Sequence, residues 1–294
     1  MAYIDAAEAP ARHTDEIKLH GPEAFAGMRK AGRLAAECLD MLAPHVVPGV
    51  TTGALDDLAR EFVLERGALP ACVFYKGYRH TVCTSINEVV CHGIPSPERV
   101  LKNGDMVNID VTVIVDGWHG DTSRMFSAGE VPRRSMRLMD VTYECMMRGI
   151  EAIKPGARLY DIAAAIQDHA ERERYSVVEA FCGHGLGRVF HDAPNILHFN
   201  ESRAERRAPR DQRAQDASIQ NTQLRPGMLF TVEPMINLGR NDVVLMKDGW
   251  TAKTRDRSLS AQYEHSIGVT ETGFEIFTLS PAGLATPHTS GVGT

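Results

Sequence analysis

Two acids, Asp110 and Asp121, stand where a β-hairpin would bring their carboxylates together. Val107–Val115 (VNIDVTVIV) is rich in β-branched residues, Asp116-Gly117 is a favoured pair for a two-residue type I′ turn, and Trp118–Phe126 returns. With that loop Val115 faces Trp118, so facing positions sum to 233. Thr112 then faces Asp121, and Asp110 lies diagonal to Asp121 on the same face, with Cα atoms about 5.5–8 Å apart. Two carboxylates on one face of an apolar hairpin repel unless a cation or a proton sits between them. The competing reading is two solvent-facing acids on an edge hairpin.

A repeat bears on the choice. Leu101–Asp110 (LKNGDMVNID) reappears 123 positions later as Leu224–Glu233 (LRPGMLFTVE), aligning Leu101 with Leu224, Gly104 with Gly227 and Ile109 with Val232. Each copy ends in a carboxylate, Asp110 or Glu233, at the close of an apolar run. A duplicated fold that delivers one acid from each half suggests a metal site on its pseudo-symmetry axis. Chance likeness of two buried strands is the alternative.

Further candidates lie outside the repeat. Phe181–Asp192 (FCGHGLGRVFHD) sets His184 between glycines, which allow close backbone approach, and His191 follows seven residues later. Glu264 closes Leu259–Glu264 (LSAQYE), and His92 falls at a strand end in Glu88–Pro95 (EVVCHGIP). His119 and His265, beside Asp121 and Glu264, are read as supporting or structural. Three acids and a histidine suffice for one oxygen-rich ion; four acids and a histidine fit two ions sharing bridging carboxylates.

The positioning elements also pair. Pro48-Gly49 precedes a helical pattern over Ala54–Arg66, and Pro155-Gly156 precedes one over Tyr160–Arg174. Leu55 falls on Ile162 and Ala59 on Ile166, at an offset of 107. Apolar residues recur at i, i+3/i+4 and i+7 in both, so each helix covers a sheet with one face.

A chain of 294 residues with 43% hydrophobic content can bury a large core. A net charge of −6 and a pI near 6.1 argue against dedicated nucleic-acid binding. No run reaches a membrane-spanning length, and Met1–Glu16 lacks a signal peptide's apolar core. The six cysteines show no CxxC spacing, which points to a reduced, cytoplasmic protein. Residues 1–15 and 283–294 read as flexible tails, and Glu201–Gln220, with five arginines, two glutamates and two aspartates, as a solvated loop or frayed helix. A basic contact surface for ribosome or RNA is the weaker reading of that stretch.

Six ordered segments together resemble the methionine aminopeptidase family, type I: Cys83–Pro95 (CTSINEVVCHGIP), Val107–Thr112 (VNIDVT), His119–Phe126 (HGDTSRMF), Cys182–His191 (CGHGLGRVFH), Phe230–Met235 (FTVEPM) and Ala261–His265 (AQYEH). The likeness runs from about Glu16 to Pro281. It implies an α+β pita-bread fold: pseudo-two-fold duplicated halves, antiparallel sheet covered by helices, and a dinuclear metal site at the centre. The expected organisation is one catalytic domain over 16–282, with halves about 16–135 and 136–282 and a polar insertion at 201–220 that is longer than usual for the family. The step of 31 residues from Glu233 to Glu264 leaves no room for the large insert of type II enzymes.

Position by position, the resemblance implies that Asp110 binds one ion, His184 and Glu233 bind the other, and Asp121 and Glu264 bridge them. His92 and His191 match non-ligand histidines that contact substrate, and Glu233 is also the implied proton acceptor. Cys72, Tyr75, Tyr78, Cys83, Phe190 and Trp250 would form a methionine pocket, since sulfur and aromatic faces receive a thioether well. Asn87, Val89 and Ser260 would hold a structural Na⁺ or K⁺.

The implied function is hydrolytic removal of the initiator methionine from nascent proteins when the second residue is small. It would use two divalent ions per chain: Co²⁺, Mn²⁺ or Fe²⁺, with Zn²⁺ as an alternative. The implied partners are nascent polypeptide N-termini, with transient ribosome association, no membrane, and a monomeric state. Two rivals stay open. An Xaa-Pro peptidase of the same fold would keep all five ligands but lack the Tyr/Cys pocket; a non-catalytic binding module should have lost ligands.

Overall fold

Two Pro-Gly turns begin the same local structure twice. The computed structural model describes residues 1–203 and 209–284, so residues 285–294 of the expected C-terminal tail and 204–208 of the insertion lie outside it. Gly49 and Gly156 hold positive φ angles of 96° and 89°. The Gly49 N–H donates to Leu101 O at 2.8 Å, and Leu101 N–H donates to Val50 O at 2.8 Å. In the second half Gly156 N–H donates to Leu224 O at 2.9 Å, and Leu224 N–H donates to Ala157 O at 2.7 Å. Gly104 and Gly227, the turns into the acid-bearing strands, match as well, with φ of 93° and 90°. Repeated residues make repeated bonds and repeated dihedrals, which chance likeness of two strands would not produce.

The helices are α1 (Pro22–Leu42), α2 (Thr52–Glu65), α3 (Arg133–Glu151), α4 (Leu159–Arg172) and α5 (Arg210–Gln220). Thr51 caps α2 by accepting the Ala54 N–H at 3.1 Å, and Asp161 caps α4 by accepting the Arg158 N–H at 2.7 Å. In the first half, α1 covers the long strand Asp105–Val115, and α2 packs beside it against Leu69–Pro70 and Val82–Ile86. Trp118–Ala128 pairs with one edge of the long strand, and Leu69–Pro70 and Val82–Ile86 pair with the other. Leu39, Leu55, Val107, Ile109 and Phe126 form this half's apolar layer. In the second half, α3 and α4 pack over antiparallel strands that include Leu229–Val232, Met235–Asn237, Ser260–Gln262 and His265–Val269. Met146, Ile162, Phe199, Phe230 and Tyr263 fill that core.

The halves meet at a hydrogen-bonded seam. Thr122 Oγ1 donates to Glu264 O at 2.7 Å, Glu264 N–H donates to Ser123 O at 3.1 Å, and Ser266 Oγ donates to Asp121 O at 2.6 Å. Gly120 lets α1 lie directly on this strand: a Cβ there would stand 2.2 Å from the Ala31 carbonyl carbon. The hairpin follows the expected register, with Thr112 opposite Asp121 and Val115 opposite Trp118, and Asp116-Gly117 takes positive φ at both positions.

Two peripheral segments differ from the reading as mobile or solvated chain. Tyr3–Asp5 pairs in parallel with Ile17–Leu19, and the Tyr3 hydroxyl donates to Gln223 O at 2.5 Å. The alternation Tyr-Ile-Asp was too short to register as a strand. In the insertion, α5 buries Ile219 and Gln220, and Gln220 Nε2 donates to Phe199 O at 2.6 Å while Arg213 pairs with the buried Glu201 at 2.7 Å. One isoleucine and a few polar anchors dock a helix whose composition alone argues against docking. Among the described residues no helix is long and apolar enough to cross a membrane.

The duplicated turns make a paired prediction. Gly104→Ala should cost about 1–2 kcal/mol for its left-handed backbone alone, since its added methyl meets nothing nearer than Glu130 O at 3.5 Å. Gly227→Ala should cost about 1–3 kcal/mol more, because its methyl would overlap His20 O at 2.8 Å. Urea unfolding of both variants checks this, and equal losses would contradict it.

Candidate metal centre

Strand ends and the seam deliver the acids to one place. Asp121 lies mid-strand in Trp118–Ala128, Glu264 sits at the seam, Glu233 directly follows Leu229–Val232, and His184 is held in the short strand Gly183–Gly185. One ligand atom from each of Asp121, His184 and Glu264 lies within 4.8 Å of the others. His184 Nε2 stands 3.6 Å from Asp121 Oδ2 and 3.6 Å from Glu233 Oε1. Asp110, diagonal to Asp121 on the hairpin, is raised by the Asp121 charge and in turn raises Glu233 and Glu264. The structure therefore groups Asp121, His184 and Glu264, with Glu233 against His184 and Asp110 on the adjoining strand.

Their electrostatics are those of like charges crowded together out of water. Asp121, Glu233 and Glu264 are buried; Asp110 is half-buried as a residue, yet its Oδ1 is enclosed and has no hydrogen-bond partner among the described residues. Burial pushes the Asp121 carboxyl up to about 7. It raises Asp110, Glu233 and Glu264 well above the usual carboxylate range, with mutual repulsion adding to the effect. Burial pushes His184 down to about 4, leaving a neutral imidazole. Mutually repelling oxygens, an orphaned Oδ1 and a neutral imidazole fit divalent cations.

Hydroxyls aim the carboxylates. Thr112 Oγ1 donates to Asp121 Oδ1 at 2.6 Å, and Thr231 Oγ1 donates to Glu233 Oε1 at 2.7 Å. Gln262 Nε2 reaches Glu233 Oε2 at 3.3 Å, and the buried His198 accepts the Glu233 N–H through Nε2 at 3.1 Å. Sequence reasoning missed these four as site residues. Hairpin parity pointed to Thr112 and the i, i+2 step to Thr231; nothing signalled His198, 35 residues from Glu233.

Beside the acids lies an aromatic and sulfur-containing cluster. Cys72, Tyr78 and Cys83 are buried together, with Ile94, Phe190 and Trp250 packed against them. Cys83 faces Asp110 across the sheet, and Tyr78 is fixed by donating to Val82 O at 3.0 Å. Tyr75 stacks on His191 with centroids 4.5 Å apart, and Trp250 meets Tyr75, Tyr78 and His92 edge-on. Burial lowers His92 and pushes His191 down to about 2, so both are neutral donors at pH 7. His92 takes a positive φ of 54° ahead of Gly93, whose missing Cβ would collide with Thr84 O at 2.1 Å.

The remaining candidates fall outside this volume or serve it indirectly. His119 Nδ1 bonds Gly187 O at 2.9 Å, and His265 Nδ1 bonds Thr278 Oγ1 at 2.8 Å. Asn87 O accepts the Ser260 N–H at 2.9 Å, Val89 lies on the next strand, and the buried Ser260 Oγ has no partner among the described residues.

The metallopeptidase family M24 model matches residues 26–271. A methionine aminopeptidase of Rickettsia prowazekii is 54% identical over 272 residues, covering 92% of this chain and 98% of the relative. One from Escherichia coli strain K12 is 50% identical over 264 residues, covering 90% and 94%. The crystal structure of methionine aminopeptidase from R. prowazekii superposes with a TM-score of 0.82 at 55% identity, covering 90% of this chain and all of that one (100%).

The raised carboxyls set a pH dependence. In the metal-free protein Asp121 and its neighbours hold protons that a cation must displace, whereas His184 is already neutral. Mn²⁺ affinity should therefore rise as pH increases through about 7, with net proton release. Calorimetric titration in buffers of different ionisation enthalpy checks it; affinity independent of pH between about 6 and 8 would contradict it.

Proposed function

The chain belongs to metallopeptidase family M24 and, within it, to the methionine aminopeptidases, and from that premise we propose how its own residues hydrolyse the bond after an N-terminal methionine. The observation that carries the reading is a neutral sulfur-and-aromatic cluster, read as a pocket for methionine, beside Asp110 and the grouped Asp121, His184 and Glu264, with Glu233 3.6 Å from His184. Burial raises the Cys72 and Cys83 thiols, so both stay protonated and soft, suited to a thioether. An Xaa-Pro peptidase would have no use for such a pocket.

Asp110, Asp121, His184, Glu233 and Glu264 would hold two divalent ions: Asp110 on one, His184 and Glu233 on the other, Asp121 and Glu264 shared. Ions bound there supply Lewis acidity and lower the pKa of water. Hard oxygens with one imidazole favour Mn²⁺, Fe²⁺ or Co²⁺ over Zn²⁺. Glu233 takes the proton of the attacking water and passes it to the leaving amine; Thr231 and Gln262 hold its two oxygens in place for that exchange. His191 and His92, neutral through burial, donate N–H to the scissile amide as charge develops on its oxygen. The Tyr75–His191 stack orients that donor.

The cleft beyond the scissile bond is narrow in this reading, which restricts the second residue to small side chains. Newly made chains, which begin with methionine, are the substrates, met by a cytoplasmic monomer at or near the ribosome. The orphaned Ser260 Oγ beside Asn87 O and near Val89 supports a Na⁺ or K⁺ site there.

Chromatography of Met-Ala-Ser digests tests the assignment. Mn²⁺-loaded protein should release methionine, chelated protein should not, and an Xaa-Pro peptide should stay intact. Cutting Met-Phe-Ser as fast as Met-Ala-Ser would refute the small-residue rule alone. His191→Ala should lose about 10²–10³-fold in kcat with its metal retained. Cleavage of the Xaa-Pro peptide but not of Met-Ala-Ser would overturn the reading.

A further inference from the structure

We infer that the N-terminal segment is a strap whose contacts position the loop carrying His191, with Lys18 and Asp192 as the pair through which it acts. The inference rests on His191 serving the scissile amide, and its consequences are separable from that reading.

The loop needs an external hold. His191 is followed at once by the strand Asp192–Ile196, and the pairing of that strand with Gly183–Gly185 slips between Asp192 and Asn195. The ladder reaches Asp192 through a single pairing with Gly185 before it slips, and it does not extend to the His191 backbone. The strap supplies the missing partners. His13 Nδ1 bonds His191 O at 3.1 Å, and the Thr14 N–H donates to Asp192 Oδ1 at 3.2 Å. Lys18 Nζ lies 2.7 Å from Asp192 Oδ2 and donates to Arg12 O at 2.8 Å, so one ammonium ties strap to loop.

This pair is buried, with Lys18 8% and Asp192 6% exposed, whereas His13 at 62% is open to solvent. Burial makes the geometry stiff, because neither charge can exchange its partner for water. The strap, residues 1–19, closes on itself through the parallel pairing of Tyr3–Asp5 with Ile17–Leu19, and its ends are anchored by the Tyr3 hydroxyl donating to Gln223 O, by the Arg225 guanidinium 3.8 Å over the Tyr3 ring, and by the adjoining His20 N–H donating to Gly227 O at 2.8 Å. Between the anchors it borders a cavity of ≈ 350 Å³ lined by Asp5, Lys18, His20, Trp118, Arg188 and Asp192. Its grip on the loop therefore rests on these polar contacts more than on apolar packing.

His191 has no hydrogen-bond partner for its buried Nδ1 among the described residues. Among the described residues its ring is placed by stacking on Tyr75, by tilted contacts with His184 and Phe190, and by the backbone that bears it. A shift of that backbone would move the ring off the reacting amide without touching an ion or the methionine pocket. Lys18, Asp192 and His13 are thus positioning residues for the reaction.

The test is steady-state hydrolysis of Met-Ala-Ser by the full Mn²⁺-loaded chain. Lys18→Met should lower kcat by about tenfold or more, with KM within about twofold and Mn²⁺ stoichiometry unchanged. Lys18→Arg, which keeps the charge, should recover most of the loss, a rescue that mere damage to the fold would not show. His13→Ala, at an exposed position, should cost a few-fold in kcat and decides the matter if Lys18→Met does not fold. Unchanged kcat in His13→Ala and Lys18→Met, a loss expressed in KM or metal content, or equal impairment of Lys18→Arg and Lys18→Met would each overturn the strap. Wild-type protein that leaves Met-Ala-Ser intact would instead overturn the functional reading beneath it.

Discussion

Like charges packed together inside a protein must be compensated, and that constraint organises this molecule. Asp121, Glu233 and Glu264 are buried, Asp110 stands at their edge, and burial with repulsion raises every one of these carboxyls. Such a cluster destabilises a fold unless cations or protons neutralise it, so the surrounding structure must hold it by force of geometry. The duplicated turns set the two acid-bearing strands, the seam from Asp121–Ser123 to Glu264–Ser266 locks the halves in register, and Gly120 lets α1 press on the strand from behind.

The burial that raises the acids lowers the histidines, and this division serves the chemistry. His184 is neutral and can act as a ligand; His92 and His191 are neutral and can donate without carrying charge toward the ions. Glu233 alone combines a strongly raised carboxyl with two side-chain donors, from Thr231 and Gln262, which suits a group that must hold a proton briefly in a fixed place. Hydroxyl donors hold Asp121 and Glu233, by a cross-strand bond from Thr112 in the first half and an i, i+2 bond from Thr231 in the second.

Much of the fold and the acid cluster was legible in the sequence because both follow short-range rules. The repeat from Leu101 and Leu224 proved to be a repeat of bonds, and the sum rule of the hairpin placed Asp110 and Asp121 on one face. The sulfur-and-aromatic cluster proposed to receive methionine was legible only through family resemblance, since Cys72, Tyr78 and Cys83 have no spacing that separates them from ordinary core. His198 was hidden because its partner is a backbone N–H that only tertiary structure brings near. The N-terminal strand and α5 were missed for a different reason: polar contacts at a few points hold them, and composition rules weigh apolar surface.

Where cations bind tests the role of the acid cluster most directly. Crystals grown with Mn²⁺ and measured at its absorption edge would locate every ion by anomalous scattering. Two peaks should lie among Asp110, Asp121, His184, Glu233 and Glu264, with Asp121 and Glu264 contacting both. Well-ordered, Mn²⁺-soaked crystals with no peak in that volume, or with the ions bound elsewhere, would contradict it.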